Sequence, residues 1–154
     1  MIRRIFTVLA LVGVGLGGAG GARANPDELL PKSAAPTGSA ESRFGDGQVL
    51  AEKQDWTGAE EAYRDAIGLR AEFPEAWNGL GHALRMQKKY EESVKSYEEA
   101  LRLKPDYPQA LEYLGEAYVQ MGKVAEAKKL LERLRALDPH EADELAETIG
   151  TNGK

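Results

Sequence analysis

The sequence predicts an all-α fold, in which about three helical hairpins stack on one another and a single helix closes the C-terminal end. Three observations predict this fold. The sequence repeats itself every 34 residues, apolar residues within each repeat recur at helical spacing, and prolines mark the ends of the repeat units. One repeat cannot bury its apolar face alone, so successive repeats are expected to share one continuous core.

The repeat is clearest where residues 74–107 are aligned, without a gap, on residues 108–141. A weaker match extends one period upstream. We therefore predict units at about 40–73, 74–107 and 108–141. The positions that agree between the second and third units are Ala76 and Ala110, Leu80 and Leu114, Gly81 and Gly115, Ala83 and Ala117, Leu103 and Leu137, and Pro105 and Pro139.

Two helices are predicted in each unit. In the second unit Trp77, Leu80, Gly81 and Leu84 lie at positions i, i+3, i+4 and i+7, which form one stripe on a helix. The polar run 87–89 follows, and a second apolar stripe of the same spacing comes after it. A short polar turn between two such stripes is typical of an antiparallel helical hairpin. The small residues are expected to let neighbouring helices approach closely, and the aromatic residues to fill the space between them.

The C-terminal segment provides one helix only. Leu145 and Ile149 belong to its apolar face, and acidic residues cover the other face. Because the last unit of a stack must cover an otherwise exposed end, we predict a capping helix over residues 141–149. Residues 151–154 are expected to form a disordered tail.

The N-terminal residues have the pattern of a secretory signal peptide. Arg3 and Arg4 precede an apolar run, and the small-x-small sequence 22–24 follows a glycine-rich stretch. The apolar run is too short and too rich in glycine for a membrane span, which needs about 20 residues. We therefore expect a signal peptide at 1–24, no stable membrane anchor after its cleavage, and export to the periplasm, with secretion as the alternative.

Residues 25–40 are expected to be a disordered tether, because prolines recur among small polar residues there. The paired arginines match half of a twin-arginine signal, so the choice between the two export routes stays open. The predicted repeat domain thus covers residues 41–150.

Composition and motifs favour a binding protein over an enzyme. The formal net charge of −5 becomes −8 without the three arginines of the signal, which argues against a nucleic-acid partner. The absence of cysteine excludes disulfides and thiolate chemistry. His82 and His140 have no second histidine one helical turn away, so both are expected to be surface residues. We expect no catalytic site, no metal site and no cofactor.

These residues resemble the tetratricopeptide repeat (TPR) family, whose pattern is W-x₂-L-G-x₂-Y followed by A, F, A and P. The first unit departs from it at Arg43, Asp46 and Ala71, which leaves the start of its first helix open. The resemblance implies a right-handed superhelical stack and a non-catalytic scaffold. The second and third units match through Trp77, Leu80, Gly81, Leu84, Ser93, Tyr97, Ala100 and Pro105, and through Leu111, Leu114, Gly115, Tyr118, Ala127, Leu131, Leu134 and Pro139.

The resemblance also implies which residues face the concave groove that binds a partner. Glutamates outnumber cations among them, so a protein or peptide segment carrying Lys or Arg is the expected partner. Alternatively these charges are only solvated. Glu112 and Glu116 are expected not to pack. The groove residues are Phe44, Gln48 and Glu52 in the first unit, Glu75, Asn78, His82, Arg85 and Met86 in the second, and Gln109, Glu112, Glu116, Val119 and Gln120 in the third.

Some family members clamp the terminal carboxylate of chaperones with Lys, Asn and Arg at set positions. The equivalent positions here are Phe44, Gln48, Gly79, Gln109 and Tyr113, so the clamp is expected to be absent. Two further functions stay open beside an envelope scaffold. The protein could stack on itself as a structural protein, or serve as an accessory subunit that modulates an envelope enzyme.

The signal peptide generates the first prediction. Cleavage after Ala24 should give a mature protein that begins at Asn25 and is found outside the cytoplasm. N-terminal sequencing of the protein from fractionated cells checks this. Recovery of the intact N-terminus, starting at Met1, from the cytosolic fraction would contradict it.

Overall fold

The computed structural model describes residues 38–152, and the predicted signal peptide, residues 25–37 of the tether and residues 153–154 lie outside this range. Seven α-helices and no strand occur within it, which confirms the all-α prediction. No helix in residues 38–152 is long and apolar enough to cross a membrane. The helices are α1 (Ala40–Glu52), α2 (Trp56–Leu69), α3 (Pro74–Met86), α4 (Tyr90–Leu103), α5 (Pro108–Gln120), α6 (Val124–Leu137) and α7 (Pro139–Asn152).

The helices pair as three hairpins, α1 with α2, α3 with α4 and α5 with α6, and each hairpin packs on the next. The turn inside each hairpin contains one residue with left-handed backbone, at Gln54 (φ 60°), Lys88 (φ 62°) and Gly122 (φ 73°). These turn positions are 34 residues apart. Only glycine adopts this backbone without a steric cost, so the first two turns are held by the packing of their helices.

Glycines allow the close approach of large side chains in every unit. A Cβ atom on Gly47 would lie 2.6 Å from the Tyr63 ring, and a Cβ atom on Gly81 would lie 2.6 Å from the Tyr97 ring. Gly115, the equivalent residue of the third unit, meets Leu145 of α7 in the same way. Any side chain at these positions would push the helices apart, which confirms that the repeated glycines serve packing.

The first unit has a complete first helix. Its N-terminus is capped by Ser39, whose Oγ accepts a hydrogen bond from the Ser42 backbone N–H at 3.1 Å. Within residues 38–152 no unit precedes α1, and Arg43 and Asp46, which depart from the family pattern, form an ion pair at 3.2 Å. The equivalent Trp77 and Leu80 pack in an apolar cluster that the first and second units share.

The capping helix α7 packs against both α5 and α6, and it is longer at each end than the predicted 141–149. It begins at Pro139, where Asp138 Oδ1 accepts hydrogen bonds from the backbone N–H groups of His140 (3.0 Å) and Glu141 (3.3 Å). It ends at Asn152, so the first two residues of the predicted disordered tail are helical. The Thr151 hydroxyl donates to the Glu147 carbonyl at 3.1 Å within this last turn.

Trp77 generates the second prediction. Its ring is partly buried against the cluster that contains Tyr63 and Leu84, and its Nε1 donates to the Ala71 carbonyl at 2.8 Å. Trp77→Ala should lower the free energy of unfolding by about 3 kcal/mol, the lower end of the range for such truncations because the ring is not fully buried. Urea denaturation measures this. Leu69→Ala, at a site 40% exposed, is the control and should cost far less. Equal effects of the two variants would contradict the packing assigned to Trp77.

Candidate functional site

The first helices of all three units line one cavity of about 400 Å³, which we call the groove pocket. Helix α1 contributes Phe44 and Gln48, and α5 contributes Gln109 and Tyr113. Because residues from three successive units meet here, the pocket exists only when the units are stacked in register. Its full lining is Phe44, Gln48, Tyr63, Glu75, Asn78, Gly79, His82, Tyr107, Gln109 and Tyr113.

Tyr63 is the only residue of a second helix in this lining, and sequence reasoning did not place it in the groove. Its ring lies 5.8 Å from the Phe44 ring, and it fills the space above Gly79, where a Cβ would come within 2.7 Å. Burial, and then the charge of Glu52, raises the pKa of Tyr63 to about 12. The signal that could have located it is Gly79, a glycine outside the repeated pattern.

A chain of amide and hydroxyl groups runs along one wall of the pocket. Asn78 Nδ2 donates to Gln109 Oε1 at 3.0 Å, and Gln109 Nε2 donates to the Tyr113 hydroxyl at 3.3 Å. The Tyr107 hydroxyl donates to the same Gln109 oxygen at 3.4 Å. Asn78 is only 5% exposed, and within residues 38–152 its Oδ1 accepts no hydrogen bond. This oxygen is itself buried, so the polar groups that the wall presents to the pocket are those of Gln109 and the two tyrosine hydroxyls.

His82 lies in this wall and is half-buried, so the expectation of a surface histidine was wrong for it. Its ring packs between Trp56 (centroids 5.5 Å apart) and Tyr113 (5.2 Å), because residues from two other helices converge on α3 here. Burial, followed by the charge of Arg85, lowers the pKa of His82 to about 4. The imidazole is therefore neutral at physiological pH. His140 is exposed, as expected.

Arg85 and Glu116 do not line the pocket, contrary to their assignment to the groove surface. The Arg85 guanidinium forms an ion pair with Glu116 at 2.9 Å, and their side chains are only 10% and 22% exposed. Arg85 also lies 5.6 Å from the Tyr113 ring centroid and donates to His82 Nδ1 at 3.5 Å. Because both charges are engaged within the protein, neither gives the groove its charge. Glu116 therefore packs, which corrects the prediction that it would not.

Glu112 is the largest departure from the predicted groove. It is 4% exposed and lies between α5 and α7 rather than in the groove pocket. Burial is the main cause that raises its pKa to about 9, followed by the neighbouring carboxylates of Glu141, Glu116 and Glu144. Glu112 is buried because α7 covers this face of α5. The 34-residue repeat gives no indication of that contact. The acidic pair Glu141 and Glu144 in α7 was the available signal.

The remaining groove predictions divide between lining and non-lining positions. The predicted residues that line the pocket are Glu75, Asn78, His82, Gln109, Phe44 and Gln48. Met86 and Gln120 are exposed but lie outside the lining, as does Glu52, whereas Val119 is buried in the core between α5 and α6. The predicted clamp positions Phe44, Gln48, Gly79, Gln109 and Tyr113 meet at this one pocket, and none carries a cation.

This architecture is that of an α-helical repeat protein. Antiparallel helical hairpins stack in succession, and their first helices line a shared pocket. Two family models match the chain, one described as TPR repeat over residues 81–122 and one described as tetratricopeptide repeat over residues 108–141. These matches confirm the predicted resemblance to tetratricopeptide repeats over residues 81–141. A search of curated protein sequences found no match.

Solved structures show the same fold. The TPR2B domain of yeast Sti1, in complex with pHsp70, superposes with a TM-score of 0.69 at 22% identity, over 73% of this chain and 96% of that one. The first TPR of Spaghetti (RPAP3), bound to the HSP90 peptide SRMEEVD, has a TM-score of 0.69 at 23% identity, over 75% and 94%. The Yersinia enterocolitica type III secretion translocator chaperone SycD has a TM-score of 0.67 at 18% identity, over 74% and 91%.

His82 generates the third prediction. Its pKa of about 4 in the folded protein is below the usual 6.5, so the unfolded state binds the proton more readily. The stability that depends on neutral His82 is complete above pH 6.5 and is lost as the pH falls toward 4. From about pH 7.5 to about pH 5, the wild type should therefore lose about 2 kcal/mol of unfolding free energy relative to His82→Gln.

Denaturation of the two proteins in parallel at each pH checks this prediction. The comparison removes the contribution of other titrating groups, because both proteins contain them. A difference between the two proteins that is constant from about pH 7.5 to about pH 5 would contradict the burial of a neutral imidazole.

Proposed function

We propose that this protein is a non-catalytic interaction scaffold, or adaptor, that binds a segment of a partner protein in the groove pocket. The observation that carries the proposal is the pocket itself. Aromatic rings from three units line a cavity of about 400 Å³, and its wall also carries the polar groups of Gln109 and Tyr113. Apolar walls with a few placed polar groups are typical of sites that recognise an extended segment.

The charge of the pocket favours a basic segment. Glu75 is the one charged residue in the lining, and its side chain is 42% exposed. Lys104 lies 3.8 Å from Glu75 and 4.4 Å from the Tyr107 ring, at the edge of the pocket. An arginine or lysine on the partner would form an ion pair with the Glu75 carboxylate and stack on the faces of the nearby aromatic rings.

The structural neighbours support peptide binding, but the acidic peptide bound by one of them differs from the basic segment proposed here. The RPAP3 domain is bound to SRMEEVD, a peptide with three acidic residues, and the Sti1 domain is in complex with pHsp70. In this chain the positions that would clamp an acidic terminus carry Phe, Gln, Gly, Gln and Tyr. We therefore propose that the binding mode is shared with these domains and that the charge preference is reversed.

The cell envelope is the proposed location of this function. The support is the sequence pattern of the first twenty-four residues, which predicts export to the periplasm. An accessory subunit of an envelope enzyme would use the same pocket, and copurification at native expression level would identify that enzyme. A self-associating structural protein would instead show a mass above the monomer by size-exclusion chromatography with light scattering.

Site-specific photo-crosslinking tests the proposal and is the fourth prediction. A photoreactive phenylalanine analogue at position 107, in the lining, should cross-link a partner in the envelope fraction. The same analogue at position 90, the first residue of α4 and outside the lining, is the matched aromatic control. Glu75→Lys should abolish most of the capture at position 107 and leave the melting temperature unchanged, because an exposed charge contributes little to stability.

The control at position 90 distinguishes binding in the groove pocket from binding to the second helices. Capture from position 90 with none from position 107 would show that binding uses the second helices and would overturn the proposal. Capture that survives Glu75→Lys and does not weaken with added salt would overturn the basic character of the partner.

A further inference from the structure

The two ends of the stack each expose a groove between two helices, and the two grooves carry opposite charge. A cavity of about 450 Å³ between α1 and α2, which we call the first-unit groove, has among its lining residues Arg43, Asp46, Val49, Leu50, Glu61 and Asp65. A cavity of about 490 Å³ between α6 and α7, which we call the cap groove, has among its lining residues Lys128, Lys129, Leu131, Glu132, Arg135 and Ile149. Three acids and one arginine thus line the first-unit groove, and three cations and one glutamate line the cap groove.

Both grooves have apolar surface between their charged residues. In the first-unit groove Val49 is 48% exposed, and Leu50 beside it is partly exposed. In the cap groove Leu131 and Ile149 are buried, and Ala146 is partly exposed. Apolar surface with a charged rim is typical of a surface that binds another protein.

The first-unit groove is the counterpart of a groove at which the second unit contacts the unit before it. Arg64 of α2 completes the lining of that second groove and forms an ion pair with Glu92 of α4 at 3.1 Å. Within residues 38–152 no preceding helix supplies the first-unit groove with a counterpart of Arg64. The lining residues that lie 34 residues apart include Arg43 and Trp77, Asp46 and Leu80, and Leu50 and Leu84.

The contacts between successive units combine apolar packing with ion pairs. Besides the pair formed by Arg64, Glu60 of α2 pairs with Lys89, the residue before α4, at 2.8 Å. Helix α6 carries Lys128 and Glu132 two periods after Glu60 and Arg64. The cap groove therefore includes positions of α6 whose equivalents in α2 bind the next unit of the stack.

We propose that the cap groove of one copy of this chain docks on the first-unit groove of a second copy, so that stacks associate end to end. The cations of one groove would face the acids of the other, and the exposed Val49 would be buried against the apolar surface between α6 and α7. A basic partner would account for the first-unit groove alone, and an acidic partner for the cap groove alone. A second copy accounts for both.

The proposed contact leaves the groove pocket open, because the pocket shares no lining residue with either end groove. Several pockets on one assembly would bind a partner with repeated segments more tightly than one pocket does. The inference does not depend on the proposed function, which capture from position 107 tests separately. A mass above the monomer then indicates the structural alternative only where position 107 captures no partner.

Sedimentation velocity tests the contact and provides the fifth prediction. The protein, purified in the form in which it accumulates in the cell, is examined over a wide range of concentration. The mean mass should rise with concentration without stopping at a dimer, because a contact between two unlike faces does not close on itself. Added salt should lower the mean mass, because the charges of both grooves are largely exposed and are screened by salt.

Charge reversal at each groove identifies the two faces. Asp46→Lys with Glu61→Lys alters the first-unit groove, and Lys128→Glu with Arg135→Glu alters the cap groove, all at exposed residues. Each double variant should associate at least about 10-fold more weakly than the wild type, because like charges then face each other. An equimolar mixture of the two variants should recover association, because each groove of one variant then finds a groove of opposite charge on the other.

Glu91→Lys with Glu98→Lys, at exposed residues of α4 outside both grooves, is the matched control and should associate as the wild type does. If a double variant fails to fold by circular dichroism, the single changes Glu61→Lys and Lys128→Glu decide in its place. A wild type that stays monomeric at every concentration would overturn the proposal. Association that survives either groove variant, that weakens equally in the control, or that does not recover in the mixture would also overturn it.

Discussion

The close approach of two helices at a glycine is the contact on which the rest of this structure depends. Gly47 and Gly81 receive the rings of Tyr63 and Tyr97, each from the second helix of the same hairpin. Because the ring occupies the space that a Cβ would fill, the two helices of a hairpin lie close together and pack densely. The first helices of successive units can then lie side by side, and only this arrangement brings residues from α1, α3 and α5 into one pocket.

The same contact explains which features the sequence could predict. The repeated glycines, the apolar stripes and the prolines are properties of one unit, so they predicted the hairpins and most of the helix ends. The pocket residues Glu75, Asn78 and Gln109 follow from the same register. The predictions from the sequence failed where a contact does not recur in every repeat unit. Glu112 is buried because α7 lies on α5, and Gly79 admits Tyr63 although the equivalent position of the third unit carries Tyr113.

Charge is distributed so that the pocket keeps a nearly neutral wall. Arg85 lies close to the lining, but its guanidinium is neutralised by Glu116 at 2.9 Å and is 10% exposed. The His82 ring beside it is uncharged at physiological pH, because burial and Arg85 both lower its pKa. The lining therefore contains one charged side chain, Glu75, and Lys104 at the pocket edge lies 3.8 Å from it. The buried Arg85–Glu116 pair lies behind the aromatic wall and adds no charge to the pocket surface.

The two ends of the stack differ in how they are closed, and this difference determines where the structure is weakest. In the first unit an Arg43–Asp46 ion pair and the 48% exposed Val49 occupy a face that later units bury. That face belongs to a complete hairpin, which has a partner helix and the next unit to hold it. Helix α7 is a single helix, and in a repeat protein each element is stabilised only by its immediate neighbours. It carries Glu141 and Glu144 onto the buried Glu112, whose pKa is raised by burial and by these two residues, and α7 has fewer contacts than the other helices of residues 38–152. The opening of the stack should therefore begin at α7, because the element with the least support from its neighbours has the lowest free energy of local unfolding.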